Sequence, residues 1–539
     1  MIVIVKRRNC NFTKIILALF FLVSVVLPLI CMFANLFTAD LDKIFGNKSF
    51  FEATLHSLQV SAVSTVISIS LAFLLAWCMT RTKVKLKGFF SAVIILPMLI
   101  PSISHGMGLV ILFGQNGQLT KLLGLNWSIY GFWGIVAGSV MYSLPVAYLM
   151  ISDILQYEDS TPYEAASVLG IPRKNRFLSI TLPYMRKPMI SVLFATFTLI
   201  VTDYGVPVMV GGKYNTLPMM MYNEVIGRLD FSKGSVIGMV LLVPAVVAFV
   251  FDFISKDTRS SGFVNKPFTL KKSIGREIFA YSFLAVISIS ILYPIITFAG
   301  LTFNKNYPSD LTFTMDNIVS TLNKGAGGYL LNSILIALAV SLIGTALAFA
   351  CAYLTARVRG LSSKVLHLIS ILSLAVPGIV LGLSYVLFFK GSFIYGTLII
   401  LILVNIVHFF ASPYLMIYNS LGKLNPNLED VGLTLGIRRG RLIRDVIIPQ
   451  SLQTLVEMFT YFFVNSMITI SAVSFVATTL TKPLSLMITQ FQQQMLLEAS
   501  AFVSLLILVV NIIMKTVSYI VRHCISRKGM KRYAHEKTI

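Results

Sequence analysis

Apolar runs recur along the whole chain, each bounded by a short polar stretch. They fall at 15–37, 56–80, 91–113, 131–155, 189–211 and 235–254, then at 278–301, 330–356, 365–389, 395–418, 455–478 and 500–522. Roughly 20 helical residues cross the ~30 Å hydrocarbon core of a bilayer, so every run is long enough to span one. The pattern predicts an all-α polytopic membrane protein with about 12 transmembrane helices. The first run follows Lys6, Arg7, Arg8 and Lys14 and imitates a signal peptide. It is too long for a signal core and lacks a clear small-residue cleavage site, so it reads as a retained helix.

The polar stretches alternate in charge. Basic ones carry Arg81, Lys83, Lys85 and Lys87; then Arg173, Lys174, Arg176, Arg186 and Lys187; then Lys256, Arg259, Lys266, Lys271, Lys272 and Arg276. Later ones carry Arg357, Arg359 and Lys364, and then Lys423, Arg438, Arg439, Arg441 and Arg444. The intervening stretches lack this excess: 38–55 has two Lys against three acids, and 302–329 has two against two. Basic loops stay on the cytoplasmic side, which places both termini in the cytoplasm.

The chain is internally duplicated. Leu55-His56-Ser57 recurs as Leu331-Asn332-Ser333, and Phe73, Ala76, Arg81 and Pro101 recur as Phe349, Ala352, Arg357 and Pro377, at an offset of 276 residues. Further on the offset is 266: Tyr148–Ile151 recurs as Tyr414–Ile417, and Gly170 and Pro183 as Gly436 and Pro449. Six spans per half is an even number, so the halves share one orientation, a parallel repeat about an axis along the membrane normal. The expected organisation is a first half at 1–254, a cytoplasmic linker at 255–277 and a second half at 278–539.

Composition narrows the function. The 539 residues are 56% hydrophobic and 12% charged, with mean hydropathy +0.83. The net charge of +23 is explained by basic loops held inside rather than by nucleic acid. Five scattered cysteines, without a Cys-x-x-Cys pair, indicate neither a disulfide frame nor a metal site. Gly212-Lys213 is followed by Tyr214, and Gly422-Lys423 by Leu424, so neither is a phosphate-binding loop and ATP is not expected to bind here. No cofactor and no catalytic constellation are expected. Few ionisable residues fall within the spans, which argues against a secondary transporter with parallel repeats, the alternative of a different class.

The stretch Thr161–Pro183 is polar and basic between two spans. Thr161 and Glu164 have capping-box spacing, Pro162 suits a first helical position, and Gly170 is placed to close the helix in a left-handed turn. A short helix, a sharp turn and a basic second helix ending at Pro183 are expected. Glu164-Ala165-Ala166, Gly170, Ile180, Leu182 and Pro183 resemble the EAA loop of ABC importer permeases, E-A-A-x3-G-x9-I-x-L-P, at every fixed position. The resemblance implies a coupling helix that docks on a separate ATP-hydrolysing subunit. It implies two copies of that subunit, an extracytoplasmic solute-binding protein, and residence in the lipid of a bacterial plasma membrane. The second copy, 427–449, has drifted: Asp430-Val431-Gly432 stands for the Glu-Ala-Ala, while Gly436 and Pro449 remain. Asn427 is its expected cap, with Asp430 three residues on.

One more segment departs from the apolar pattern. Thr202–Gly212 holds Asp203, Tyr204, Gly205 and Pro207 and is rich in helix breakers near the outer end of the fifth span. Broken backbone at membrane depth is tolerated where protein or a water-filled cavity surrounds it. One reading is a pathway-lining gate in which Asp203 attracts a cationic group; the other is a helix end whose aspartate caps a turn. The matching position in the second half is Thr469. With Asp230–Gly234, this segment resembles fused permeases for 2-aminoethylphosphonate, and the fused form is also similar to ferric-iron and thiamine importer permeases. The resemblance makes 2-aminoethylphosphonate the expected substrate and ferric iron the alternative. A bare ferric ion prefers several oxygen or imidazole ligands, and the spans offer no such cluster.

Overall fold

The computed structural model describes residues 11–124, 127–255, 266, 268, 273–358 and 360–536. The basic residues Lys6, Arg7, Arg8, Lys256, Arg259, Lys271, Lys272 and Arg359 lie outside the described residues, as does most of the expected linker. Among the described residues, eight helices are long and apolar enough to cross a membrane. Three bent helix pairs raise the number to 11 if each counts as one span. The remaining expected span, 455–478, overlaps the helix Ile448–Ile468 but loses the helix from Thr469 on; the polar Gln450, Gln453, Glu457 and Asn465 lower that helix's hydropathy. This is the all-α polytopic architecture that the apolar runs predict. The only strands among the described residues form an antiparallel hairpin, Asn304–Asn306 with Asp310–Phe313. Its strands are short and largely polar, so no alternating apolar pattern announces them.

Several expected spans are not straight. The third is a helix Lys87–Ile95, a 3-10 turn Leu96–Leu99 and a helix Ser102–Phe113, bent by 101°. Ile100 precedes Pro101 and is extended (φ −124°, ψ 150°), because the proline ring disfavours the helical region for the residue before it. Val376 before Pro377 does the same in the second copy, where the bend is 107°. The fifth span stops at Val201 rather than near 211; Thr202–Tyr204 leave the helix, and a short helix Gly205–Val210 follows.

The described chain forms two compact units that do not follow the sequence halves. One comprises Ala39–Thr321 with Ile488–Leu505. Its main packing pair is Lys48–Arg81 against Phe132–Gln156, where small residues allow close approach and the Ser68 and Ser143 hydroxyls hydrogen-bond at 2.7 Å. Ala72, Leu75, Ala76, Ala147, Tyr148 and Ile151 are the centre of this core. Ala280 and Leu284 from the helix Ile274–Thr302 pack into the same core, although that helix is the first span of the second half.

The other unit comprises Met1–Thr38, Leu322–Met487 and Leu506–Ile539. Here Gly327–Ala356 packs on Ile448–Ile468, with Gly344 so close to the Phe462 ring that a Cβ would sit 2.9 Å from it. The first span joins this unit through Phe21, edge-on to Phe410 at 4.9 Å, and through Ser24, whose carbonyl accepts the buried Tyr385 hydroxyl at 2.7 Å. The duplication is visible within each unit separately. Ser57 Oγ accepts the Leu217 N–H at 2.7 Å, and its counterpart Ser333 Oγ accepts the Leu484 N–H at 2.7 Å.

Candidate functional site

The first candidate loop is built on the helix Thr161–Val168. The expected capping box is not what closes its N-terminus. Asp159 Oδ1 accepts the Thr161 N–H at 3.1 Å and its hydroxyl at 2.9 Å. Glu164 does not pair with Thr161; it takes Lys266 Nζ at 2.7 Å and, at 3.3 Å, the hydroxyl of Ser160, which holds the cap position. Lys266 offers a cation, which outcompetes a neutral N–H for a carboxylate. That hydrogen bond holds the Glu164 carboxyl below the usual glutamate range. A depressed carboxylate pKa adds stability that is present above the ordinary value and lost as pH falls through the lowered one, so this anchor does not change across neutral pH.

The C-terminus of the helix matches the expectation in detail. Gly170 has φ +69°, the Ile171 N–H donates to the Ala166 carbonyl at 3.0 Å, and the Gly170 N–H donates to Ser167 at 3.2 Å. This pair of bonds is a Schellman turn, which satisfies carbonyls that the helix end would leave open. The second helix, from Arg173, does not stop at Pro183. It passes through a π turn, Phe177–Thr181, into Leu182–Val201. The Leu182 N–H bonds five residues back to Phe177, so the ladder has already widened where Pro183 supplies no N–H.

The second loop repeats the construction. Its helix is Leu428–Thr434; Gly436 has φ +68°, with Ile437 N–H to Gly432 at 2.8 Å and Gly436 N–H to Leu433 at 3.1 Å. A π turn, Ile443–Ile447, again precedes the proline, Pro449. Asn427 is the cap residue by position, but its side chain makes no capping bond; Asn425 Oδ1 accepts the Asn427 N–H at 2.9 Å instead. Ala166 and its counterpart Gly432 are both buried, and Leu442 packs 3.4 Å from where a Gly432 Cβ would stand. Glu164, Ala165, Gly170, Asp430 and Gly436 are exposed.

An arginine from a membrane helix holds each loop. Arg357 pairs with Glu429 through both oxygens, at 2.8 and 2.6 Å, and also donates to the Leu424 and Asn425 carbonyls. Arg81 pairs with the buried Glu158, and Glu158 also accepts the Tyr163 hydroxyl. Burial, and then Glu158, push the Tyr163 hydroxyl well above its ordinary pKa, so it donates at neutral pH. The acids are not at matching positions: Glu429 stands where Tyr163 stands in the first copy. Arg81 also lies over the Phe268 ring, 3.5 Å from its centroid, and Phe268 meets Tyr163 at 4.9 Å. The repeated arginines carry a sequence signal, the shared offset. Lys266 and Phe268 carry none, because a polar linker does not say what it folds against.

The candidate pathway residues lie at or beside helix ends. Asp203 sits in the break between Leu182–Val201 and Gly205–Val210. Its Oδ1 accepts the Ser102 hydroxyl at 2.6 Å and its Oδ2 accepts the Val206 N–H at 3.0 Å. It therefore ties the break at 202–204 to the break at Pro101. Tyr204 is fully buried and stacked on Tyr222 at 5.0 Å; Gly205 and Pro207 are buried in the short helix. In the other unit, Thr469 ends the helix Ile448–Ile468, and its carbonyl accepts the Ser485 hydroxyl at 2.6 Å. There Gly378, the counterpart of Ser102, approaches Ser471 and His408 so closely that a Cβ would sit 2.6 and 2.9 Å from them.

Comparison with known proteins agrees with this arrangement. Residues 64–257 and 344–526 each match the family described as binding-protein-dependent transport system inner membrane component. Each match contains one complete loop and one proline break. The ferric transport system permease protein FbpB of Actinobacillus pleuropneumoniae is 24% identical over 497 residues, covering 86% of this chain and 71% of that protein. The putative ferric transport system permease protein FbpB 1 of Haemophilus influenzae is 23% identical, covering 86% and 77%. The molybdenum transport system permease protein ModB of Azotobacter vinelandii is 30% identical over 176 residues, 31% of this chain and 78% of its own length. With the family matched twice over most of its length, the chain belongs to the binding-protein-dependent transport system inner membrane components, as a fused, membrane-embedded permease.

Proposed function

We propose that this permease is the translocation subunit of an ATP-driven importer. Two copies of a separate ABC ATP-binding subunit dock at the two loops, and an extracytoplasmic solute-binding protein supplies the cargo. The observation that carries this reading is the pair of short helices that end in exposed apolar residues and a left-handed glycine. Val168 and Leu169 are 89% and 76% exposed, and Leu435 is 68% exposed. Exposed apolar tips held rigidly from below suit a partner's groove. Glu164, Ala165, Ala166, Gly170, Asp430 and Gly436 are the coupling residues in this reading. Each half, 1–254 and 278–539, contributes one loop, with 255–277 as linker. Both loops and both termini are cytoplasmic, in a bacterial plasma membrane. In a background without the five native cysteines, Lys174→Cys and Arg439→Cys are expected to react with an impermeant thiol reagent only from the inside. Reaction on intact cells would overturn the topology.

For the cargo we propose ferric iron. Two relatives that match along 86% of the chain bear that substrate in their names. The second reading, 2-aminoethylphosphonate, rests on the Thr202–Gly212 segment. In both readings Asp203 meets the positive charge of the cargo, the ferric ion in one and an ammonium group in the other. Asp203→Asn is expected to slow uptake severalfold with insertion unchanged, since the amide keeps the shape and one acceptor for Ser102. The deciding assay is uptake of labelled ferric iron and of labelled 2-aminoethylphosphonate in strains lacking other importers for each. Iron uptake is expected; phosphonate uptake without iron uptake would transfer the assignment.

A further inference from the structure

We propose that a groove beside the first loop binds an anionic glycerophospholipid of the adjacent leaflet. The groove lies within one compact unit and has a volume of about 760 Å³. Its walls come from the loop-side ends of three membrane helices, at residues 73–82, 174–181 and 275–279. One wall is aromatic: Phe73, Trp77 and Phe177 meet one another at ring distances of 5.9 to 6.2 Å. Such rings sit where acyl chains give way to headgroups.

The charged residues of the lining are cationic. Lys174, Arg176 and Arg276 line the groove with Arg81, and among the described residues no acid lines it. Arg81 is matched by Glu158, and Lys174, Arg176 and Arg276 add positive charge to the lining. The Arg176 Nε–H donates to the Ile171 carbonyl at 2.6 Å, which fixes the plane of that guanidinium. Lys174 and Arg276 are exposed. An apolar slot ending in several cations at a membrane interface complements a phosphodiester headgroup on an acyl chain. A soluble anion would use the cations but not the aromatic wall.

The other unit supplies an internal contrast. Its groove of about 580 Å³ includes Phe349, the counterpart of Phe73, and among the described residues no charged side chain lines it. Tyr163 and Thr181, which hydrogen-bond to each other, line the first groove, so a lipid there touches the first loop directly. An effect on coupling would rest on the function proposed above; binding does not.

The test uses the full chain purified in detergent and mixed with phosphatidylglycerol or phosphatidylcholine, with retained lipid read by native mass spectrometry. Wild type is expected to retain phosphatidylglycerol preferentially. Lys174→Gln with Arg276→Gln is expected to lower that retention by about tenfold or more, on the scale of two interfacial cations. Both positions are exposed, so the thermal midpoint is expected to be unchanged; if the double variant unfolds, Lys174→Gln alone decides. Equal retention of the two lipids by wild type, or unchanged retention in the variant, would overturn the proposal. So would displacement of the lipid by millimolar inorganic phosphate. Transport is not read in this assay, so its failure leaves the importer reading untouched.

Discussion

Gly170→Val is expected to insert normally in the membrane and to lose most of its transport. Gly170 has φ +69°, and nothing lies within 4 Å of where its Cβ would be. The penalty is therefore conformational rather than steric crowding. A left-handed residue with a side chain costs about 1–2 kcal/mol, and a β-branched one more. The turn loses the bonds from Ile171 to Ala166 and from Gly170 to Ser167, and the exposed tip, Val168 and Leu169, is no longer held in one place. If a partner binds only the turned form, that cost reduces apparent affinity by roughly 5- to 30-fold. Co-purification with the ATP-binding subunit and uptake in reconstituted vesicles measure it, and Gly170→Ala is expected to be milder in both. Wild-type uptake and co-purification in the valine variant would remove the coupling role. Gly436 has the same φ, within a degree, and the same bonds, so Gly436→Val carries the same local cost. The drifted second loop is still expected to matter less to transport. A smaller effect there would place the asymmetry in the partner's docking, not in the turn.

Arg357→Met is expected to destabilise the fold more than any change on the loop surface. The Arg357 and Glu429 side chains are 5% and 11% exposed, and four hydrogen bonds converge on the guanidinium. Removing one partner strands a carboxylate and two carbonyls, at a cost of about 3–5 kcal/mol. The thermal midpoint in detergent is expected to fall by several degrees. The double change Arg357→Met with Glu429→Leu is expected to recover much of that loss, because an apolar pair of similar volume leaves no buried charge unmatched. A single variant as stable as wild type would mean that the pair is solvated in the membrane-bound protein. The contrast is Lys266 with Glu164: both are about half exposed, and Lys266→Met is expected to leave the midpoint near wild type.

Much of the candidate site was legible because turn chemistry is local. A glycine six residues after Glu164, followed by Pro172, has few ways to fold, and the Schellman turn appears at Gly170 and again at Gly436. The capping predictions failed at Thr161 and Asn427 because residues just before each helix took the capping role, and because Lys266 took Glu164. Asp159 takes the Thr161 N–H while Ser160 and Lys266 take Glu164 in the first loop, and Asn425 takes the Asn427 N–H in the second. Capping rules count neighbours in sequence, and Lys266 is a neighbour only in space. For Asp203, the sequence left a gate and a cap equally open. The carboxylate does bond the Val206 N–H, as a cap would, but Ser102 from the distant proline break takes its other oxygen.

The sequence by itself determined that the chain lives in a membrane, that it is built twice over, and where each copy turns. Hydropathy sums along one segment, and proline and glycine act on their own backbone, so these features need no knowledge of neighbours. It did not determine which helix packs on which. The run at 15–37 belongs by sequence to the first half, yet it joins the compact unit of Leu322–Met487. The helix Ile274–Thr302, first span of the second half, packs into the core of the other unit. A helix that is apolar on all sides satisfies the bilayer in any rotation and beside any partner. The choice was made by fit between particular surfaces, such as Phe21 against Phe410, Tyr385 on the Ser24 carbonyl, and Ala280 and Leu284 in the core that holds Ala76. Only the tertiary structure brings those surfaces together.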